Sequence, residues 1–218
     1  MQEYDWIWQP NSVMFGPKRF VHDPVFGKQI HQFASPFWEF TLTLPPKAEK
    51  DRREIAAFLG ETEGIAVVNV YDPRIPVPVY YDQYRDDELL TKRIPDLTIK
   101  ATDRVARTIT VSGAADASGD YGRITKDDPV AFTNAGVRHY YRALSDVILD
   151  GTDQAVRVDL RPRVSLTGLS IVLTAQDRIK PTCRFQVFIN DTGGRTNVDG
   201  YTDFSLRGVE FFGVIDAG

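Results

Sequence analysis

Cysteine is almost absent from this sequence, and its scarcity narrows the possible folds. Cys183 is the only cysteine in 218 residues. A single thiol cannot form an internal disulfide or a thiolate metal cluster, so the chain folds without covalent cross-links. Because a lone thiol is more often buried and inert than reactive, we expect Cys183 to lie in the core.

Long apolar runs and a basic excess are also missing. No apolar stretch approaches the roughly 18 residues that a membrane-spanning helix needs. The first residues, Met1 to Trp6, include Glu3 and Asp5 but no basic residue, so they lack the charged start of a secretory signal. The formal net charge is −4, whereas nucleic-acid binding needs a gathered basic surface. We therefore expect a cytoplasmic fold with no membrane partner and no specific nucleic-acid partner.

Motifs for nucleophilic or metal chemistry are scarce as well. His22, His31 and His139 are the only histidines, and no two of them have the spacing that places two ligands on one helix face. His22 beside Asp23 is more typical of a loop turn before a proline than of a coupled pair. Neither a Gly-x-Ser-x-Gly motif nor a Cys-His signature occurs.

Carboxylates are plentiful, but their pattern is not that of a site. Glu39 and Glu210 could belong to a glycan-cleaving pair, although solvated surface acids explain them more simply. The loop from Asn190 to Gly200 offers oxygen donors and glycines but lacks the spacing of a calcium loop. We expect no enzyme activity, no bound metal and no cofactor.

The N-terminal part begins with a strand pattern. Apolar and polar residues alternate from Phe37 to Leu44, which predicts a strand with Phe40, Leu42 and Leu44 pointing inward. Pro45–Pro46 is expected to end this strand.

A short amphipathic helix is predicted next, between Lys47 and Glu61. Ile55, Phe58 and Leu59 stand at i, i+3 and i+4 on an otherwise charged surface.

A strand and an extended segment follow. The apolar run from Ile65 to Tyr71 predicts a central strand. Pro73, Pro76 and Pro78 then forbid ladder donation and impose a polyproline-like path, which predicts an arm or linker. The acidic, tyrosine-rich stretch from Tyr80 to Leu90 continues it as an exposed loop, and a unit boundary is expected near Arg93.

The middle of the chain changes to short strands at close spacing. Predicted strands flank a turn at Asp103, a second turn is expected at Asn134-Ala135-Gly136, and a long strand is expected from Val137 to Leu149. After a turn at Asp150-Gly151, the run from Ala155 to Leu160 alternates cleanly. These elements predict a small antiparallel β-barrel.

The C-terminal strands point back to the start of the chain. Residues 184–189 and 204–212 have a pattern fit for a hairpin that closes the first sheet. The predicted organisation is therefore an outer β domain of residues 1–92 and 181–218, with an inserted small β-barrel of residues 93–180. The fold class is all-β with one short helix.

An ordered set of short motifs resembles one known family across nearly the whole chain. It comprises Trp8-Gln9-Pro10, Phe33-Ala34-Ser35-Pro36-Phe37-Trp38, Tyr71-Asp72-Pro73-Arg74, Asp127-Asp128-Pro129, His139-Tyr140-Tyr141, Leu160-Arg161-Pro162 and Phe204-Ser205-Leu206. In this order they resemble the distal or minor tail proteins of siphophages and related prophages. Each motif alone is weak, so the specificity lies in the order.

The resemblance implies a structural role without catalysis. It implies a tail-tube-like β-sandwich with the barrel inserted, assembled in the host cytoplasm into a virion as a ring, with six copies expected. The implied partners are further copies of the chain, the tail tube protein, and the tail hub or other baseplate proteins. The helix and the proline arm are expected to form the ring contact, through Ile55, Phe58, Pro73, Arg74, Pro76, Pro78, Tyr80, Tyr81 and Tyr84.

Two other functions remain open at this point. A carbohydrate-binding module that recognises host glycan would use exposed aromatics such as Trp6, Trp8 and Tyr201, although core packing explains these residues as readily. A cell-wall hydrolase would have to turn over peptidoglycan or polysaccharide. Ring formation separates the structural hypothesis from the carbohydrate-binding one.

Overall fold

Strands dominate the computed structural model of this chain. It describes residues 3–5, 12–18, 21–22, 31–32, 37–47, 65–72, 74–75, 77–79, 96–115, 119–160, 162–163, 165–188, 195–196 and 202–212. The strands of this part are β1 (Glu3–Asp5), β2 (Ser12–Lys18), β3 (Val21–His22), β4 (His31–Gln32), β5 (Phe37–Lys47), β6 (Ile65–Tyr71), β7 (Leu97–Asp103), β8 (Thr108–Gly113), β9 (Arg123–Ile124), β10 (Pro129–Asn134), β11 (Val137–Arg142), β12 (Val147–Ile148), β13 (Gln154–Arg157), β14 (Ile171–Val172), β15 (Thr182–Phe188), β16 (Arg195–Thr196) and β17 (Thr202–Glu210). A short helix, α1, spans Ala175–Ile179. The protein is all-β, as its sequence predicts.

The chain divides into two compact units. The first unit comprises Met1–Arg19, Phe37–Val70 and Cys183–Gly218, and the second comprises Phe20–Pro36 and Tyr71–Thr182. The boundary expected near Arg93 lies outside the described residues. Residues 48–61, which make up most of the predicted helix, also lie outside them. Lys47, the first residue of that prediction, ends strand β5 instead.

The first unit is built on one seven-stranded sheet. Its strand order is β1-β6-β15-β17-β5-β2, with β16 paired to β17. β1 runs parallel to β6, whereas β15–β17, β17–β5 and β5–β2 are antiparallel pairs. The β15–β17 pairing confirms the predicted C-terminal hairpin. Strands from both ends of the sequence therefore share one sheet.

Strand β6 lies inside this sheet, between β1 and β15. Val67 and Val68 are successive residues that face opposite sides of the sheet, and both are buried, as is Val70. Burial on both faces is typical of a central strand. The prediction of a central strand from Ile65 to Tyr71 is confirmed.

Strand β5 is longer than the sequence predicts. Pro45–Pro46 was expected to end it, but the strand continues to Lys47. The register with β17 shifts at this point, because Leu44 pairs with Phe204 and Lys47 with Thr202. Such a bulge accommodates prolines, which cannot donate to the ladder, and this explains why they do not end the strand. The side chains of Phe40, Leu42 and Leu44 lie outside the described part; Trp38, with the same parity, is fully buried.

The second unit contains a four-stranded antiparallel sheet of order β13-β8-β7-β14. The hairpin β7–β8 turns where predicted, at Asp103, whose Oδ1 accepts hydrogen bonds from the backbone N–H groups of Val105 (2.7 Å) and Ala106 (2.9 Å). Burial alternates along β8, with Ile109 and Val111 in the core.

Strands β10 and β11 form a second hairpin in this unit. Its turn residues Ala135 and Gly136 have φ angles of 48° and 77°. Two central residues with positive φ are the mark of the tight hairpin turn that the Asn-Ala-Gly sequence predicts.

The predicted long strand from Val137 to Leu149 is wrong. It is divided into β11 and β12. Ala143, which follows β11, exchanges backbone hydrogen bonds with Asp127 and Asp128 and also forms a bridge with Val158, next to β13. Asp146 then binds the backbone N–H of Lys126 through its carboxylate, at 2.7 Å. The bridge links the β10–β11 hairpin to the four-stranded sheet. A small barrel would also need this connection, but closure of the barrel stays a prediction.

Cys183 is a buried free thiol, which confirms its predicted location in the core. None of the helices in the described part of the chain has the length and apolar character needed to cross a bilayer.

Candidate functional site

The predicted assembly surface is only partly visible. Arg74 and Pro78 are described, and Arg74 is exposed whereas Pro78 is buried. The buried ring of Pro78 packs within the second unit, so it offers little surface to another molecule. The remaining predicted contact residues lie outside the described part: Ile55, Phe58, Pro73, Pro76, Tyr80, Tyr81 and Tyr84.

The start of the proline segment is fixed by one buried carboxylate. Asp72 is 1% exposed. Its Oδ1 accepts hydrogen bonds from the backbone N–H of Arg74 at 3.1 Å and from Arg74 Nε at 3.0 Å. Its Oδ2 accepts from Arg74 Nη2 at 2.8 Å and forms an ion pair with Arg142 on β11. The hydrogen bond to Asp72 raises the pKa of the Arg74 guanidinium.

The end of the segment is fixed by a second buried carboxylate. Asp128, 2% exposed, precedes β10. Its Oδ1 accepts a hydrogen bond from the backbone N–H of Val79 at 2.9 Å, and its Oδ2 accepts one from the backbone N–H of Thr125 at 2.7 Å. Burial raises the pKa of this carboxyl group even though both hydrogen bonds oppose that shift.

These two attachments convert the predicted arm into a segment held at both ends. Residues 72 and 79 are each bonded to distant residues of the second unit, and among the described residues of the segment the exposed ones are Arg74 and Val79, the latter 52% exposed. A segment that is already ordered loses little conformational entropy when it binds another surface. The described part of the proline segment therefore presents a fixed charge and a fixed apolar side chain to solvent.

A cluster of buried polar groups supports the same hairpin. Arg138 on β11 forms an ion pair with Asp177 of α1 at 2.6 Å, and its Nε donates to the Thr182 carbonyl oxygen at 3.0 Å. These contacts join β11 to α1 and to Thr182. Arg138 has the position of a structural residue, and the sequence gives no local signal for it because its partners are distant along the chain.

His139 is the other buried polar residue of β11. Its ring stacks on Phe132 with centroids 4.8 Å apart, and its Nδ1 lies 3.3 Å from the Tyr141 hydroxyl. Burial, with the charges of Arg163 and Arg138, lowers its pKa to about 4. His139 is therefore neutral at physiological pH, and its packing is that of a core residue.

A small crevice borders the attached segment. It encloses about 20 Å³, room for one water molecule rather than an organic ligand. Its lining combines apolar and charged residues of the second unit: Pro78, Leu97, Arg123, Ile124, Asp128, Pro129, Val130, Leu173, Asp177 and Arg178.

The residues considered for catalysis are not assembled into a pair. Glu39 lies opposite Val209 in the β5–β17 ladder, so the adjacent Glu210 projects from the other face of the sheet. Glu39 pairs with Arg207, and Glu210 accepts a hydrogen bond from the backbone N–H of Trp38 at 2.9 Å. These two carboxylates cannot flank one glycosidic bond.

The other candidate ligands give no site in the part that can be described. His22 and His31 are paired across β3 and β4, a juxtaposition that their sequence spacing did not predict. Trp6, Trp8, Tyr201 and most of the loop from Asn190 to Gly200 lie outside the described residues. Among described side chains, no group of three or more His, Cys, Asp or Glu residues is placed to hold a metal ion.

Comparison with known proteins adds no family assignment. Neither a scan against protein-family models nor a search of curated proteins found a match for this chain.

Proposed function

We propose that this chain is a non-catalytic structural subunit of a bacteriophage tail, which forms a ring at the distal end of the tail tube and joins the tube to the tip or hub. The observation that carries the proposal is the seven-stranded sheet of the first unit. It combines β1, β2, β5 and β6 with β15 and β17 from the other end of the chain, and most of the second unit is inserted between them. An outer β domain with an inserted middle domain is the organisation that the ordered motifs imply.

The attached proline segment supports an assembly role. The segment is anchored by Asp72 and Asp128, so Arg74 and Val79 are exposed at fixed positions. A ring contact is heterologous, because one patch meets a different patch on the next copy, and closure depends on a constant rotation between neighbours. A pre-ordered segment suits such a contact because its geometry is the same in every copy.

Assembly of the full-length chain tests the proposal. We expect size-exclusion chromatography with light scattering to give a single closed oligomer, alone or with the tail tube protein as a template, and negative-stain images to show rings. Val79→Asp should weaken this association because it places a charge on the exposed end of the segment. Ile148→Asp is the matched control, since Ile148 is a 79% exposed apolar residue elsewhere in the second unit.

Two results would contradict the proposal. Monomers under both conditions would remove its basis, because a ring subunit must associate with copies of itself. Turnover of peptidoglycan or polysaccharide by the purified chain would favour the hydrolase hypothesis instead.

A further inference from the structure

Strands β6 and β15 are neighbours in the seven-stranded sheet although they are far apart in the sequence. β6 ends at Tyr71 and β15 begins at Thr182, so the segment between them occupies the place of the short turn that usually joins adjacent strands. Closing a flexible loop costs conformational entropy that grows with its length, and this segment has about 110 residues. Pairing of β6 with β15 is therefore favoured if the segment itself holds its two ends together.

The beginning of the segment is held by strand β11. Asp72 follows β6 directly and forms an ion pair with Arg142 of β11, and the Asp72 side chain is 1% exposed. The Ile75 backbone N–H donates to the Asp72 carbonyl oxygen at 3.0 Å, which closes a turn at this point. The chain that leaves β6 is therefore fixed to β11 by the first residue after the strand.

The end of the segment is held by the same strand. Arg138 Nε donates to the Thr182 carbonyl oxygen at 3.0 Å, and Arg138 Nη2 donates to Thr182 Oγ1 at 3.2 Å. Arg138 and Arg142 are four residues apart on β11 and therefore project from the same face of the strand. One face of β11 thus contacts both the chain that leaves β6 and the chain that enters β15.

A third contact joins these two chain connections to each other. Lys180 Nζ lies over the Tyr71 ring, 4.0 Å from the ring centroid. Both residues are half-buried, and a partly desolvated cation–π contact is stronger than an exposed one. We call these three contacts the clasp, and its members are Asp72–Arg142, Arg138–Thr182 and Lys180–Tyr71.

The clasp is internal to the second unit. All of its members belong to the range Tyr71–Thr182, which is part of that unit. The clasp can therefore form as the second unit folds, without a contribution from side chains of the first unit. Once it is formed, the end of β6 and the start of β15 are held near each other.

We propose that the clasp replaces the missing turn between β6 and β15, so that folding of the second unit brings these two strands together and starts their pairing in the first unit. The second unit should then fold before the sheet of the first unit closes. The clasp is a property of a single chain, and it does not depend on the proposed ring.

A variant that weakens the clasp without altering the core tests this role in the full-length chain. Lys180→Met/Thr182→Val removes the ammonium group over Tyr71 and the hydroxyl acceptor of Arg138, while similar side-chain volumes are kept. The matched control is Lys100→Met/Thr110→Val, which makes the same two changes at half-buried positions of β7 and β8.

Refolding from urea with pulsed hydrogen exchange measures when each strand becomes protected. In the wild type, the β7–β8 and β10–β11 hairpins should be protected before residues 65–70 and 183–188. In the clasp variant, protection of 65–70 and 183–188 should be delayed on the order of tenfold, because a cation–π contact and a hydrogen bond are lost. The β7–β8 hairpin should keep its wild-type rate, and the control variant should match the wild type throughout.

Three results would overturn this inference. The first is protection of residues 65–70 and 183–188 before, or together with, the hairpins of the second unit. The second is an unchanged rate for these residues in the clasp variant. The third is an equal delay of the β7–β8 hairpin, which would make the clasp an ordinary core contact of the second unit. If the double variant does not fold, Lys180→Met alone should give the same pattern with a smaller delay.

Discussion

The carboxylate of Asp72 forms an ion pair with the guanidinium of Arg142, 70 residues further along the chain. Asp72 is almost fully buried, and the Arg142 side chain is 19% exposed. This pair fixes the start of the proline segment on β11. The position of a segment that reads as a free arm is thus set by a charge interaction with a distant strand.

Removing the charge of Asp72 should destabilise the protein. Asp72→Asn leaves Arg142 and Arg74 around a neutral group, and breaking a buried ion pair costs about 3 kcal/mol. Urea unfolding monitored by far-ultraviolet circular dichroism, which follows both units, would measure this loss in the free energy of unfolding. Asp153→Asn, in an exposed turn, is the control and should change it by less than about 0.5 kcal/mol. Equal effects of the two substitutions would show that the Asp72 ion pair does not add to the free energy of unfolding.

Asp128 should make stability depend on pH in a defined direction. Burial raises the pKa of this carboxyl group above its ordinary value of 3.8. In the window between 3.8 and the raised folded-state pKa, the folded protein binds more protons than the unfolded chain, so the contribution of this group to stability falls as pH rises. The difference in unfolding free energy between wild type and Asp128→Asn should therefore shift in favour of the wild type as pH falls toward 3.8. A difference that is constant across this window would contradict the assignment.

His139 should make stability depend on pH in the opposite direction, at higher pH values. Its pKa is lowered from 6.5 to about 4, chiefly by burial. Its contribution to stability is complete above pH 6.5 and is lost as pH falls toward 4, with a total on the order of 3 kcal/mol. His139→Gln should lack this pH-dependent component. An NMR titration of the His139 ring checks the cause directly, and a midpoint near 6.5 in the folded protein would refute it.

Two glycines with similar backbone angles should differ in their tolerance of alanine. Gly151 and Gly168 have φ angles of 84° and 68°. A Cβ on Gly151 would lie 2.7 Å from Tyr121 Cε1, whereas a Cβ on Gly168 would meet nothing within 4 Å. Gly168→Ala should therefore cost about 1 kcal/mol from backbone strain alone, and Gly151→Ala should cost more because the ring must also move. Thermal unfolding of both variants would measure the difference in stability. Equal losses of stability would mean that the Tyr121 ring moves aside at no cost.

Local signals predict the hairpins of this fold well. Asp103 and the Asn134-Ala135-Gly136 turn are recognisable because their chemistry acts within a few residues. Strand β6 is recognisable because burial on both faces leaves a continuous apolar run. The length of β5 is not, since the bulge that accommodates Pro45–Pro46 depends on β17, which is distant in the sequence.

The geometry of the candidate site is harder to predict from the sequence, because it too depends on contacts between residues that are far apart along the chain. The three prolines predict an extended path, but nothing near them indicates that Asp72 is bonded to Arg142 or Val79 to Asp128. The break between β11 and β12 likewise coincides with a long-range contact, the Ala143–Val158 bridge. Long-range polar contacts of this kind leave no periodic pattern, so only coordinates reveal them.

Native mass spectrometry of the full-length chain, alone and with the tail tube protein, tests the ring most directly because it counts the copies in each particle. We expect one closed species of six copies. Monomers under both conditions, or a continuous ladder of sizes without a preferred number, would contradict a closed ring.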